Sequence, residues 1–231
     1  MLTKIILLSF CGGLLCLDRV FIQTMISRPV VVAPFIGLLL NNIYAGLIIG
    51  VFVELFWIDR LPLGAYIPPN DTIAAVLATS IAILAGQNQG GVSPQITALA
   101  FLLAVPFGII AGKIDALIIE SNNTLSDQAL EDARTVNIKA IERKNYLGLL
   151  KVFFVALIYL LAVQSILIPA VIWIYPKLGL PIMKMLALLY HFLPLLGIAV
   201  AVNTINLPYS ILIYCAFTLI LIIVWEFFRV Y

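Results

Sequence analysis

The sequence predicts an all-α, polytopic integral membrane protein with about seven membrane segments, some of them broken or re-entrant. Three observations carry this. Of the 231 residues, 64% are hydrophobic and 10% are charged, against roughly half and a quarter in soluble domains. The mean hydropathy is +1.17. The charges are also segregated. No Asp, Glu, Lys or Arg occurs in residues 29–53, 72–112, 152–176 or 185–225, and each run is at least as long as the roughly 20 residues that cross a hydrocarbon core.

Residues 5–17 form a shorter apolar run behind Lys4. A secretory signal would need a small-x-small cleavage site. Asp18–Arg19 follows at once instead, so a first membrane helix is expected. Asp18, Arg19, Gln23, Ser27 and Arg28 make a polar hinge, with Asp18 expected to pair with Arg19 or Arg28. Residues 29–53 count as one crossing. The runs 72–112 and 185–225 hold two crossings each, with turns near Gly90–Pro94 and Asn203–Pro208.

Residues 113–151 carry half of the charged residues and divide the chain into an N-terminal membrane half (1–112) and a C-terminal one (152–231). Leu125, Ala129, Ala133, Val136 and Ala140 recur at helical spacing, and Thr124 with Asp127 suits a helix start. This reads as an amphipathic surface loop, either a plain connector or a docking element. Lys139, Arg143, Lys144 and Lys151 cluster at its end, which places it in the cytoplasm by the positive-inside rule. Four crossings before it put the N-terminus on the same side. Three after it leave the C-terminus outside.

Ionisable groups at membrane depth are costly and therefore functional candidates. Glu54 ends a long apolar run, and it either meets a solute or pairs with Arg28 or Arg60. Leu61–Thr72 reads LPLGAYIPPNDT, which cannot continue a helix. Broken backbone in a membrane is tolerated where it is buried or lines a wet cavity. Asn70 and Asp71 there are candidates for a polar solute, or Asp71 caps the next helix. Gln87, Asn88 and Gln89 lie among glycines and offer amides to solute hydroxyls, or simply form a polar turn.

His191 is the single histidine and is expected to be an interior, hydrogen-bonded residue. Cys11, Cys16 and Cys215 sit in apolar tracts without metal spacing, so no metal or other cofactor is implied. A net charge of +2 is too small to suggest a nucleic-acid partner. There is no Walker loop, GxSxG or HExxH, which argues against an ATP-driven pump or a membrane protease.

The block Gly46–Leu84, GLIIGVFVELFWIDRLPLGAYIPPNDTIAAVLATSIAIL, resembles the signature region of the IIC subunit of mannose-type (mannose/fructose/sorbose) phosphotransferase system permeases. That region has a Gly-rich helix, Leu-Glu, a Gly-Ala pair, Pro-Asp and an Ala-rich helix. The matching positions are Gly50, Glu54, Gly64, Ala65, Pro69 and Asn70 or Asp71. Ser27–Gly37 and Ala85–Gln87 are similar to the family's Arg-Pro and Ala-Gly-His segments. Asp59 and Arg60 stand where members have uncharged residues, Asn70 where many have Asp, and Gln87 in place of His, as in a divergent member.

The resemblance implies a transport subunit and not an enzyme. It implies a bacterial inner-membrane location, a partner IID membrane subunit and cytosolic IIA and IIB proteins that carry the phosphoryl group. It also implies an oligomeric assembly and a hexose or amino sugar as substrate. Glu54, Asn70, Asp71 and Gln87 are then the expected sugar contacts. Asp18, Arg28, Asp59 and Arg60 are the expected structural or gating residues. A non-phosphotransferase secondary transporter or channel using Glu54 and Asp71, and a non-transporting regulatory subunit, are the alternatives.

Overall fold

The computed structural model describes residues 1–60, 64, 66–204 and 209–229. Eight α-helices run through them: α1 (Leu2–Leu17), α2 (Pro29–Leu39), α3 (Ile43–Phe56), α4 (Asp71–Asn88), α5 (Pro94–Arg134), α6 (Ile138–Ile174), α7 (Leu180–Thr204) and α8 (Ser210–Arg229). A 3-10 turn, Tyr175–Lys177, follows α6. The all-helical membrane fold expected from composition holds. Among the described residues three helices, α5, α6 and α7, are long and apolar enough to cross a bilayer by themselves.

The core is α4. Every residue from Thr72 to Gly86 is buried, because α1, α2, α3, α5 and α6 all pack on it. Small side chains allow that crowding. At Gly108 of α5 a Cβ would come within 2.7 Å of Trp57 and 2.9 Å of the Ala74 methyl, and at Gly112 within 2.8 Å of the Pro68 carbonyl. A helix enclosed by protein can hold Thr72, Thr79 and Ser80, which lipid would penalise.

Residues 29–53 are two helices, not one crossing. Asn41 turns the chain with φ +58, and the Asn42 side chain accepts from the Ala45 N–H at 3.1 Å to cap α3. Gly46 and Gly50 bring α3 against α2 so closely that a Cβ at Gly50 would lie 2.6 Å from the Pro29 carbonyl oxygen. The pair forms a tight helical hairpin. Its helices of 11 and 14 residues measure roughly 16 and 21 Å.

This changes the parity of the fold. One end of the bundle gathers Lys4, whose Nζ donates to Gln87 Oε1 at 3.4 Å, Gln87 Nε2, which donates to the Leu40 carbonyl at 3.2 Å, and Ser93 Oγ, 3.0 Å from the Tyr175 hydroxyl. The opposite end gathers Asp18, Arg28, Glu54 and Asn70. Five helices therefore separate Met1 from the turn after α5, and the two lie at opposite ends. The expectation that they share a side counted 29–53 once.

Residues 113–151 are the distal parts of α5 and α6, joined through Thr135–Asn137. Each helix continues unbroken from the apolar part of the bundle. No helix starts at Thr124, whose hydroxyl donates to the Ser121 carbonyl inside α5 at 2.8 Å. Lys144 pairs with Asp132 across the hairpin, and Lys151 Nζ donates to Ser121 Oγ at 2.9 Å. The turn expected at Gly90–Pro94 is present between α4 and α5. The one at Asn203–Pro208 falls largely on residues 205–208, outside the described residues. His191 is exposed on α7 and not interior, because α7 packs through a narrow stripe on α3 and α5.

Candidate functional site

The chain between α3 and α4 is where polar groups converge. Tyr66–Asn70 has no helical structure, as its prolines demand. Residues 61–63 and Ala65 lie outside the described residues. The Asn70 N–H donates to the Gly108 carbonyl at 2.9 Å, which ties this extended strip to α5. Asn70, not Asp71, is the α4 cap: its Oδ1 accepts from the Ile73 N–H at 3.0 Å. Its Nδ2 donates to Asp115 Oδ2 of α5 at 2.8 Å.

Asp71 accepts the Thr72 N–H on Oδ1 at 2.9 Å and faces Arg19. Nη1 and Oδ1 stand 3.4 Å apart. The charge of Asp71 reaches both Glu54 and Asp115. Glu54 accepts from Arg28 Nη1 at 3.1 Å and from the Val30 N–H at 3.4 Å, at the exposed start of α2. The Thr72 hydroxyl donates to the Ser27 carbonyl at 2.8 Å and closes the layer.

Asp18 pairs with neither Arg19 nor Arg28. It accepts from the N–H and hydroxyl of Thr24, at 2.9 and 2.7 Å, and of Ser27, at 3.1 and 3.0 Å. Four donors replace a cation, and they fold residues 18–27 into a compact corner, so that Arg19 and Arg28 remain for Asp71 and Glu54. Asp59 and Arg60 pair with each other at 3.4 Å on the surface. Gln87 is not brought to this layer. It lies sixteen residues beyond Asp71 on α4, roughly 24 Å away, and is held by Lys4 and Leu40.

Thus Glu54, Asn70 and Asp71 come together with Arg28; Arg19 of the polar hinge joins them through Asp71, and Asp115, which the sequence did not single out, through Asn70. Asp115 sits just inside the charged stretch 113–151 and looked like a solvated residue. Its only sequence signal is position: it is the first acid after the apolar run 72–112.

Beyond this layer, toward the hairpin, a cavity of about 630 Å³ opens between Tyr66–Asn70, the end of α1 and the facing sides of α5 and α6. The volume is that of a small-molecule pocket, ~300–1,000 Å³. From Pro94 to Asp115, α5 covers roughly 32 Å, so the polar layer lies about one hydrocarbon thickness from the Ser93–Tyr175 end.

A helical bundle with a strip of broken backbone, paired charges and a cavity suits a membrane permease component. The family model for the sorbose-specific IIC component of the phosphotransferase system matches residues 2–230, and the chain belongs to that family. A putative N-acetylgalactosamine permease IIC component 2 from Escherichia coli (strain K12) is 34% identical over 106 residues, covering 45% of this chain and 74% of the relative. A fructose permease IIC component from Bacillus subtilis (strain 168) is 27% identical over 217 residues, 89% of this chain and 74% of the relative. The fold is similar to a chain in the complex of the mannose transporter ManYZ with microcin E492, with a TM-score of 0.64 at 17% identity, covering 94% of this chain and 86% of that one. The protein is a multi-pass IIC component of the bacterial inner membrane.

Proposed function

We propose that the chain binds a hexose or amino sugar in the polar layer at the α3–α4 break and delivers it toward the hairpin. The observation that carries this reading is the convergence of Glu54, Asn70 and Asp71, from two helix ends, on one strip of non-helical chain. Carboxylates and amides can each engage two hydroxyls, and a sugar inside a membrane needs every hydroxyl partnered. Arg28 and Arg19 hold the two carboxylates in place. Asp18 and the Asp59–Arg60 pair are structural or gating elements around that layer. Gln87, at the far end of α4, is not part of the contact set. The relatives are permease components for N-acetylgalactosamine and fructose, which fits a six-carbon sugar.

In this reading a IID-type membrane subunit completes the pathway, the assembly is oligomeric, and IIA and IIB proteins phosphorylate the sugar as it emerges. The α5–α6 hairpin, with Lys139, Arg143, Lys144 and Lys151 near its base and tip, lies in the cytoplasm and is the contact for IIB or IID.

The test is sugar uptake into vesicles that hold the chain with its partner membrane subunit. Sugar phosphate should accumulate only when phosphoenolpyruvate and the soluble phosphotransfer proteins are supplied. Uptake of free sugar without them would instead make the chain a secondary transporter. No uptake across a broad sugar panel would make it a regulatory subunit.

A further inference from the structure

Three polar side chains are buried in the middle of the bundle with no protein group to bond. Ser9 of α1, Thr79 of α4 and Gln164 of α6 are each 0% exposed. Among the described residues Ser9 Oγ, Thr79 Oγ1 and both side-chain amide atoms of Gln164 find no hydrogen-bond partner. The three meet at one level. Lys4 reaches Gln87, so α1 runs against α4, and Gln89 reaches the Ile172 carbonyl, so α6 runs with α4. These helices touch at Gly12, where a Cβ would lie 2.5 Å from Leu160 Cδ1 and 3.3 Å from the Val76 methyls. From that contact Ser9 and Thr79 are three residues on and Gln164 four, all toward the Lys4–Gln87 end and on the same helix faces.

An interior that had only to pack would place leucine at 164, since a buried polar atom without a partner costs stability. Polar side chains that join membrane helices do so by bonding one another, and these do not. Packing rules are broken in this way at functional sites. The chemistry on offer is neutral: two hydroxyls and a carboxamide, each able to donate and to accept. No charged residue occurs in 5–17, 72–112 or 152–176, so an ion at this level would meet no countercharge. The group also leads to the cavity. Cys16 and Ala156 line the 630 Å³ space and stand on α1 and α6 about two turns from Ser9 and Gln164. Between lies the Gly12 contact, closed by the methyls of Val76 and Leu160, which change rotamer more readily than backbone moves. Thr79 is eight residues from Asp71 and eight from Gln87, so about 12 Å from each.

We propose that Ser9, Thr79 and Gln164 form a mid-membrane station for the hydroxyls of a neutral, hydroxyl-rich solute, and that the solute's path follows the seam of α1, α4 and α6 to the cavity. This rests on the proposed function above and extends it with a second set of contacts, halfway to the polar layer. Rotation of the Leu160 side chain and a small withdrawal of α1 open the station. A sugar there partners the four atoms that the closed bundle leaves unmet. Water offers the same hydroxyl chemistry, but a fixed water would tie the three helices together and make these polar atoms a source of stability.

The experiment uses vesicles that hold the chain with its partner membrane subunit, supplied with phosphoenolpyruvate and the soluble phosphotransfer proteins. The probes are radiolabelled fructose, mannose, glucose and N-acetylgalactosamine. For the sugar taken up fastest, Gln164→Leu should cut the maximal rate at least roughly tenfold, while the thermal-unfolding midpoint of the purified complex stays the same or rises. Ser9→Cys, with the three native cysteines replaced, should react with a small water-soluble thiol reagent during turnover. Saturating sugar should slow that reaction at least roughly threefold. Transport by Gln164→Leu at the unmutated rate overturns the station and leaves the proposed function standing. So does a midpoint lowered by that substitution, which assigns the atoms to a fixed water, and so does a Ser9→Cys thiol that stays unreacted. Uptake of none of the four sugars by the unmutated protein overturns both.

Discussion

At the scale of single residues, the layer around the α3–α4 break works by exchange of partners. Asp18 is held by four donors from Thr24 and Ser27, so the two arginines beside it go elsewhere. Arg28 then holds Glu54, a carboxylate that would otherwise be half-buried without a cation. Glu54→Ala removes both the proposed sugar contact and the partner of Arg28. Uptake of sugar should fall at least roughly tenfold. Uptake at the unmutated rate, in protein that still folds, would show that Glu54 touches no solute. Gln164 poses a different problem. It is 0% exposed on α6, and neither its Oε1 nor its Nε2 has a hydrogen-bond partner. Gln164→Leu keeps the shape and removes two unsatisfied atoms, so it should raise stability by roughly 1–2 kcal/mol. A thermal-unfolding midpoint lowered by the substitution would count against that.

These residues also mark what can be read from the chain alone. Glu54, Asn70 and Asp71 stand out because charge and amide are rare next to apolar runs and prolines. Arg19 stands out as part of the polar hinge but with Asp18 as its expected partner, and Asp115 does not stand out, because it is close to other charges and looks solvated. Only the fold, which sets α5 against the start of α4, brings Asp115 onto Asn70. The sequence leaves Asp71 open as a cap or a solute contact; Asn and Asp are near-equal caps, and Asn70, whose N–H the Gly108 carbonyl holds, takes the Ile73 N–H.

At the scale of elements, the α2–α3 hairpin rests on glycine. A Cβ at Gly46 would collide with the Ala33 carbonyl oxygen, and backbone cannot yield as a side chain does. Gly46→Ala should cost at least about 2 kcal/mol, measured as loss of thermal stability of the purified membrane complex. A shift indistinguishable from zero would mean the two helices are less tightly apposed. The hairpin was hidden in the sequence because its turn uses Asn41 and Asn42, uncharged residues in a charge-free run. An inventory of charges passes over such a turn, whereas two adjacent Asn inside an apolar tract are a turn signal in their own right. The α5–α6 hairpin shows the reverse. Its helical periodicity was legible, but its starting point was not, since nothing in the pattern marks a helix that simply continues out of the apolar zone.

At the scale of the whole molecule, the two short helices decide which face each segment meets. Asn41 lies at the Lys4–Gln87 end, and Leu130 lies on the hairpin. With the three native cysteines replaced, Asn41→Cys should react with an impermeant thiol reagent on intact cells stripped of their outer wall. Leu130→Cys should react only after lysis. Labelling of both from one side would overturn the five-helix path between Met1 and the hairpin. The fold class itself was the most legible feature, because burial of apolar surface in lipid is a bulk property of composition. The number of passes was not, because it depends on single turns.

The inward-packed helices α1 to α4 have a consequence for the surrounding lipid. They run 16, 11, 14 and 18 residues, or roughly 16 to 27 Å, against a hydrocarbon slab of roughly 30 Å. Val30, Val31, Phe35 and Leu38 of α2 face outward, so acyl chains next to them must shorten or a neighbouring subunit must cover them. Thinning the bilayer costs fractions of a kcal/mol per Å, which is enough to make the working rate a function of acyl-chain length. Reconstituted into phosphatidylcholines of decreasing chain length, the complex should gain rate as the slab approaches the length of α4, and a rate indifferent to chain length would mean that the partner subunit covers this side.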